Sequence, residues 1–188
     1  LFTSDMVLGE LKLSKDFKTK DSVPRNRNLE NFLNVQYVVS GPNAENYKVE
    51  NSVSFYFNDR LKTRMYLNLM AELRAPDYIY NYWVGNNFTW FRNGFKPSQL
   101  QQARAGFGVG KKFGAWVLLQ NTSNYFYFDI VGSPQQYAGP IKNFAVSAFY
   151  SDIFFRHLGI SLQHIFQSTS HETYVRIPPN VSTVKIFY

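Results

Sequence analysis

Arg64-Met65-Tyr66-Leu67-Asn68-Leu69-Met70-Ala71-Glu72-Leu73-Arg74 alternates without a break. Met65, Leu67, Leu69, Ala71 and Leu73 fall on one side of an extended chain. Arg64, Tyr66, Asn68, Met70, Glu72 and Arg74 fall on the other, because successive side chains of a strand point to opposite faces. The run is long enough to cross a membrane as a tilted strand, which takes about 9 to 11 residues. Strands of a soluble sandwich are usually shorter.

The same period of two extends along the chain. Val53, Phe55 and Phe57 alternate with Ser52, Ser54 and Tyr56, and Asn58-Asp59 turns the chain toward Leu61. Ala103, Ala105, Phe107 and Val109, opposed by Arg104, Gly106, Gly108 and Gly110, lead through Lys111-Lys112 into Phe113, Ala115, Val117 and Leu119. A third hairpin is predicted to join Phe144–Tyr150 to Ile153–Phe166 around Ser151-Asp152. Longer connections over 40–46, 93–100, 132–140 and 167–172 mix Gly, Pro, Asn, Ser and Gln in the manner of exposed loops. Strands are predicted near 5–14, 31–40, 48–57, 61–74, 78–92, 101–110, 113–121, 124–131, 142–150, 153–166 and 181–188, with a weak one at 172–177. Residues 16–30 fit this pattern least and read as a long loop or a short helical insertion.

The chain closes on Val184-Lys185-Ile186-Phe187-Tyr188, with Val184, Ile186 and Tyr188 sharing a face and Lys185 opposed to them. This ending, with the short turns and longer loops, resembles bacterial outer-membrane β-barrels in general. The resemblance implies an all-β fold, an antiparallel transmembrane β-barrel of about 10 to 12 strands. Residues 1–188 then form a single barrel domain in the bacterial outer membrane, surrounded by membrane lipid or lipopolysaccharide.

Composition agrees with a packed β protein. Aromatic residues make up 18% of the chain, with 13 Tyr and 18 Phe, too many for a disordered segment. Cysteine is absent, so the fold has neither disulfides nor thiolate metal ligands. No window holds the roughly 18 consecutive apolar residues of a transmembrane helix. The net charge of +7 comes from 20 Lys and Arg against 13 Asp and Glu, and it is spread widely. Its densest part, Lys12 to Arg27 with Lys15, Lys18, Lys20 and Arg25, reads as a solvated connection, so nucleic acid is not an expected partner.

In the barrel reading the less apolar faces turn inward. Arg64, Asn68, Glu72, Arg74, Arg104, His157, Ser161, Gln163 and Lys185 are therefore the lumen-facing candidates, and their positive excess favours small anionic solutes. Tyr78, Tyr80, Tyr82, Trp83, Trp90, Tyr125, Tyr127 and Tyr188, at segment ends, are candidates for the aromatic girdles at the lipid headgroups. Gly106, Gly108, Gly110 and Gly114 alternate within a strand pattern and lack the Lys-Ser/Thr ending of a phosphate loop, so their role is steric.

Catalytic inventory is thin. His157, His164 and His171 are spaced by seven, and on a strand such residues point to opposite faces, so no metal site is expected. Ser161 and His157 share a face but lie four residues apart, too far for a hydrogen bond at about 3.3 Å per residue. Glu10, Asp129, Asp152 and Glu172 show no spacing that makes two of them converge. No catalytic residue and no cofactor is assigned. The functional expectation is a narrow passive channel. The alternatives are a non-conducting structural or ligand-binding barrel, a membrane-embedded lipid hydrolase, and a soluble β-sandwich binding glycan or nucleic acid.

Overall fold

The computed structural model describes residues 5–17, 27–41, 43–57, 62–85, 89–91, 94–155 and 158–187. Nine strands form one antiparallel sheet in chain order: β1 (Met6–Phe17), β2 (Arg27–Val38), β3 (Tyr47–Phe57), β4 (Thr63–Arg74), β7 (Ser98–Val109), β8 (Phe113–Ser123), β11 (Ile141–Phe155), β12 (Leu158–Thr169) and β13 (Asn180–Phe187). Two hairpins stand apart, β5 (Tyr82–Val84) with β6 (Thr89–Phe91) and β9 (Tyr125–Phe128) with β10 (Pro134–Tyr137). The all-β antiparallel expectation is met. The sheet is open, with β1 and β13 as its edges.

Most strands run 11 or 12 residues, as the Arg64–Arg74 pattern demands. Their register fixes the two faces, because residues directly opposite one another share a side. Ser52, Asn68, Arg104, Leu118, Ala145 and Gln167 form one row across β3, β4, β7, β8, β11 and β12. On the reverse side the row reads Val53, Leu67, Ala105, Val117, Val146 and Phe166. The first face is mostly polar and the second is an apolar band.

Burial runs opposite to that of a soluble sheet. Ser54, Thr122, Ser147, Ile141 and Ala145 are buried, and all lie on the polar face. Leu119 is 57% exposed, Leu67 41% and Ile186 74%, all on the apolar face. A sandwich would cover that band with a second sheet. Among the described residues the other sheets are two short hairpins, and the band stays open.

Several expected boundaries shift. The single strand at 78–92 is instead a one-turn helix α1 (Tyr78–Asn81) followed by β5 and β6. Pro76-Asp77 breaks the chain there, and Arg74 Nη2 donates to both Asp77 carboxylate oxygens at 2.8 and 2.9 Å. The segment 124–131 ends at Phe128, because Asp129 Oδ1 accepts from the backbone of Val131 and Ser133 and folds a turn into β10. Ser151 and Asp152 are not a turn but lie within β11, paired with Ser161 and Ile160, and a bulge follows between Ile153 and Phe155. Asp152 is held in the sheet by Lys112 Nζ at 2.7 Å and the Tyr150 hydroxyl at 3.0 Å. The weak strand at 172–177 is a turn in which Val175 N donates to His171 O. In the poorly patterned 16–30 stretch, β1 persists to Phe17 and β2 begins at Arg27. The intervening residues and the Asn58-Asp59 turn lie outside the described residues.

The two ends of the sheet differ. Connections over 39–46, 75–97, 124–140 and 170–179 gather at one end, and those over 18–26, 58–62, 110–112 and 156–157 at the other. The first set is longer on the whole and carries both hairpins and α1. It is called the loop end below, and the second the turn end.

Candidate polar face and loop cap

Cross-strand pairing brings the sequence-derived polar residues onto one surface. Asn68 stands opposite Arg104, Ser161 opposite Lys185, and Arg64, Glu72 and Arg74 follow at even spacing along β4. Gln163 sits two residues beyond Ser161 on the same face and donates to Ser147 Oγ at 3.2 Å. His157 lies outside the described residues.

Two guanidinium groups stand out, Arg104 at the middle of the face and Arg64 toward its turn end. Arg104 lies over the Trp116 ring at 4.3 Å, and its Nε has no hydrogen-bond partner although it is buried. Arg64 lies 5.1 Å from the Tyr66 ring and 5.5 Å from that of Tyr56, and donates to Ser54 Oγ at 3.1 Å. Neither forms an ion pair among the described residues, whereas Lys48 pairs with Glu50 at 3.2 Å. A cation held on a ring face keeps its charge while its hydrocarbon stem is covered. The residues that hold these arginines, Trp116, Tyr56, Tyr66 and Ser54, were not singled out from sequence. The signal was present as aromatic residues in phase with the polar positions.

Glycine makes room for those rings. A Cβ on Gly106 would come within 2.6 Å of the Tyr66 ring and 2.8 Å of the Ala115 carbonyl oxygen. Gly114 and Phe149, and Gly159 and Phe187, are opposed in the same way. Each aromatic ring thus lies flat over the glycine across from it, a pairing that pins register and lets the sheet bend. Gly108 meets only ordinary contacts, and Gly110 adopts φ 57° in the turn before Lys111.

The expected girdle aromatics are mostly elsewhere than on the strands of the nine-stranded sheet. Tyr78, Tyr80, Tyr82, Trp83, Trp90, Tyr125 and Tyr127 belong to α1 and the two hairpins at the loop end, and Tyr188 lies outside the described residues. They pack on one another. Tyr80 stacks on Phe126 and Phe128 at 5.0 and 5.3 Å, Trp83 on Trp90 at 6.2 Å, and Trp90 Nε1 donates to Ile79 O. Burial, with the Asp77 carboxylate nearby, pushes the Tyr80 phenol above its ordinary range. Gln136 joins the connections, donating to Lys96 O at 2.6 Å and accepting from Lys96 N at 3.0 Å. The cap leans over the polar face: a cavity of about 310 Å³ is lined by Tyr80 and Phe126 on one side and Glu72, Arg74, Ser98 and Thr122 on the other. On the apolar face, the aromatic residues at the rims of the band include Tyr37 and Tyr47 toward the loop end and Phe57, Phe113 and Tyr150 toward the turn end. Alternation hid these, since a tyrosine in phase with leucines reads as one more apolar residue.

No group of three or more His, Asp or Glu side chains suited to a metal ion occurs among the described residues. Ser161 faces Lys185 and Ser151 across the sheet. A family model described as "Putative porin" matches residues 20–188. No curated protein and no solved structure matches the chain.

Proposed function

The chain belongs to the porin family whose model spans residues 20–188, and from that premise we propose that it forms an outer-membrane β-barrel whose lumen is lined by the polar face. The inversion of burial carries this reading. A band of exposed Leu, Val, Phe and Met, interrupted on β2 and β3 by the hydrogen-bonded pair Asn31 and Asn51, backs onto a covered polar face, the arrangement a lipid exterior and an aqueous interior require. On β3 the band runs from Tyr47 to Phe57, and ten steps of about 3.4 Å on a strand tilted about 40° give roughly 26 Å of height, close to a bilayer's hydrocarbon core. Long loops at one end and short turns at the other fit the extracellular and periplasmic sides.

Closure is the requirement that remains. An open edge in hydrocarbon leaves backbone N–H and C=O groups unpaired at several kcal/mol each, so β1 and β13 need partners in a bilayer. Nine antiparallel strands in order leave β1 and β13 running in the same direction. Closing on itself, the sheet would have a parallel seam, and antiparallel closure takes an odd number of further strands.

The transport proposed is passive passage of small solutes with anions preferred. Arg104 at the middle of the polar face and Arg64 toward its turn end have no carboxylate partners among the described residues, and fixed charge lining a pore selects the opposite sign. A second reading, a barrel that binds or scaffolds without conducting, is favoured by the aromatic cap folded over the polar face. Planar-bilayer recording of the heat-modifiable protein separates them. Reproducible anion-selective steps support the channel, insertion without conductance supports the capped barrel, and failure to insert refutes the membrane reading.

A further inference from the structure

The apolar face is not uniform. Toward the loop end it carries a shallow, open groove of about 850 Å³, formed because Ala71 and Ala103 are short among Val49, Leu69, Leu119 and Phe144. Along its upper edge three polar side chains stand in line across β7, β8 and β11: Gln101 opposite Asn121, and Asn121 opposite Lys142. The next row down is apolar across the same three strands, Ala103, Leu119 and Phe144, continuing through Leu69, and is flanked by Asn51 on β3 and Ser168 on β12. The Lys142 side chain is exposed and forms no ion pair among the described residues. Asn121 Oδ1 is buried in the same line without a hydrogen-bond partner, which leaves the amide nitrogen of that side chain as its possible donor to a ligand.

We propose that this groove, edged by Lys142, Asn121 and Gln101, is a binding site for a membrane lipid with a net-anionic headgroup. The inference rests on the membrane reading above, and it names a partner for a surface that reading leaves as undifferentiated lipid contact. The chemistry divides at one row of side chains. Below it, the alanine-floored groove takes an acyl chain, where methylene contact replaces contact with neighbouring lipids. Above it, the Lys142 ammonium meets the headgroup charge at the depth where a strand passes from hydrocarbon to water. Gln101 and Asn121 supply amides that hydrogen-bond a phosphate or hydroxyl beside it. A zwitterionic headgroup presents its own cation to Lys142, so the site discriminates by net charge.

The test uses the full chain inserted in vesicles of phosphatidylcholine containing a minor fraction of phosphatidylglycerol, then released in mild detergent for native mass spectrometry. Wild-type protein is expected to retain phosphatidylglycerol over phosphatidylcholine by about tenfold, the ratio one charge-assisted contact supplies. Lys142→Gln should abolish the preference while keeping some lipid. Ala103→Phe, which fills the groove on an already exposed face, should lower retention of both lipids. Lys111→Gln, at the turn end, should change neither. Equal retention of the two lipids by wild type, or an unchanged preference in K142Q, overturns the proposal while leaving the barrel standing. Protein that does not insert overturns both readings together.

Discussion

Replacing Arg104 by Gln removes one positive charge from the middle of the polar face while keeping a long polar side chain over Trp116, from whose ring the guanidinium lies 4.3 Å away. An ion passing about 5 Å from that charge in a water-filled pore interacts with it by about 0.8 kcal/mol at the dielectric constant of water. At 0.1 M salt, with a Debye length of about 10 Å, screening reduces this to about 0.5 kcal/mol. The anion gains it and the cation loses it, so selectivity between them should change by about 1 kcal/mol, or about fivefold. At 1 M salt the Debye length falls to about 3 Å and the same substitution should shift selectivity by less than twofold. The assay is the reversal potential of single channels in a potassium chloride gradient, wild type against R104Q, at both salt levels. Heat-modifiable migration of the variant shows that it has folded. An unchanged ratio at low salt, or an equal shift at both, would refute the placement of Arg104 beside the conduction path.

Other substitutions probe the two faces and the packing between strands. Leu67→Arg, at the centre of the apolar band, should cost about 2 to 4 kcal/mol of folded stability in vesicles. Asn68→Arg, one residue on and facing the other way, should cost far less, and equal losses in urea titration would contradict the face assignment. Gly106→Ala drives a methyl group against the Ala115 carbonyl oxygen, which cannot swing aside, so its urea midpoint should fall by the equivalent of about 1 to 3 kcal/mol. At the turn end the Asp152 carboxylate raises the Lys112 ammonium above the ordinary lysine range. A group whose folded-state pKa is raised stabilises fully below its unfolded pKa, about 10.4 for lysine, and ceases to do so as pH rises through the folded value. Wild type should therefore lose stability in this alkaline window and Lys112→Gln should lose less there, with chemical-denaturation curves at pH 9 and pH 11.5 as the measurement.

Alternation alone determined that this protein is a sheet of long strands with one apolar and one polar face. That property is local: each residue's side follows from the parity of its position, and Arg64 to Arg74 displays it without reference to any neighbour. Hence Arg64, Asn68, Glu72, Arg74, Arg104, Ser161, Gln163 and Lys185 could be assigned to one side from sequence, and the register places them together. The turn at Lys111-Lys112 was equally legible, although Gly110, read from sequence as a strand residue with a steric role, belongs to the bend and supplies its positive φ. Aromatic runs were not legible. Tyr78 to Trp83 and Tyr125 to Phe128 carry apolar residues at successive positions, so parity is silent, and what those segments do depends on rings far apart in sequence, as with Tyr80 on Phe126. Asp152 reads as a turn residue until its partner Lys112, forty positions away, is brought beside it. The arginine cradles are tertiary for the same reason, since Arg104 meets Trp116 only once β7 and β8 pair in register. Which face is covered also belongs to the assembled sheet: the sequence determined the two faces, and only the fold of the loop cap and the glycine–aromatic pairs cover the polar one.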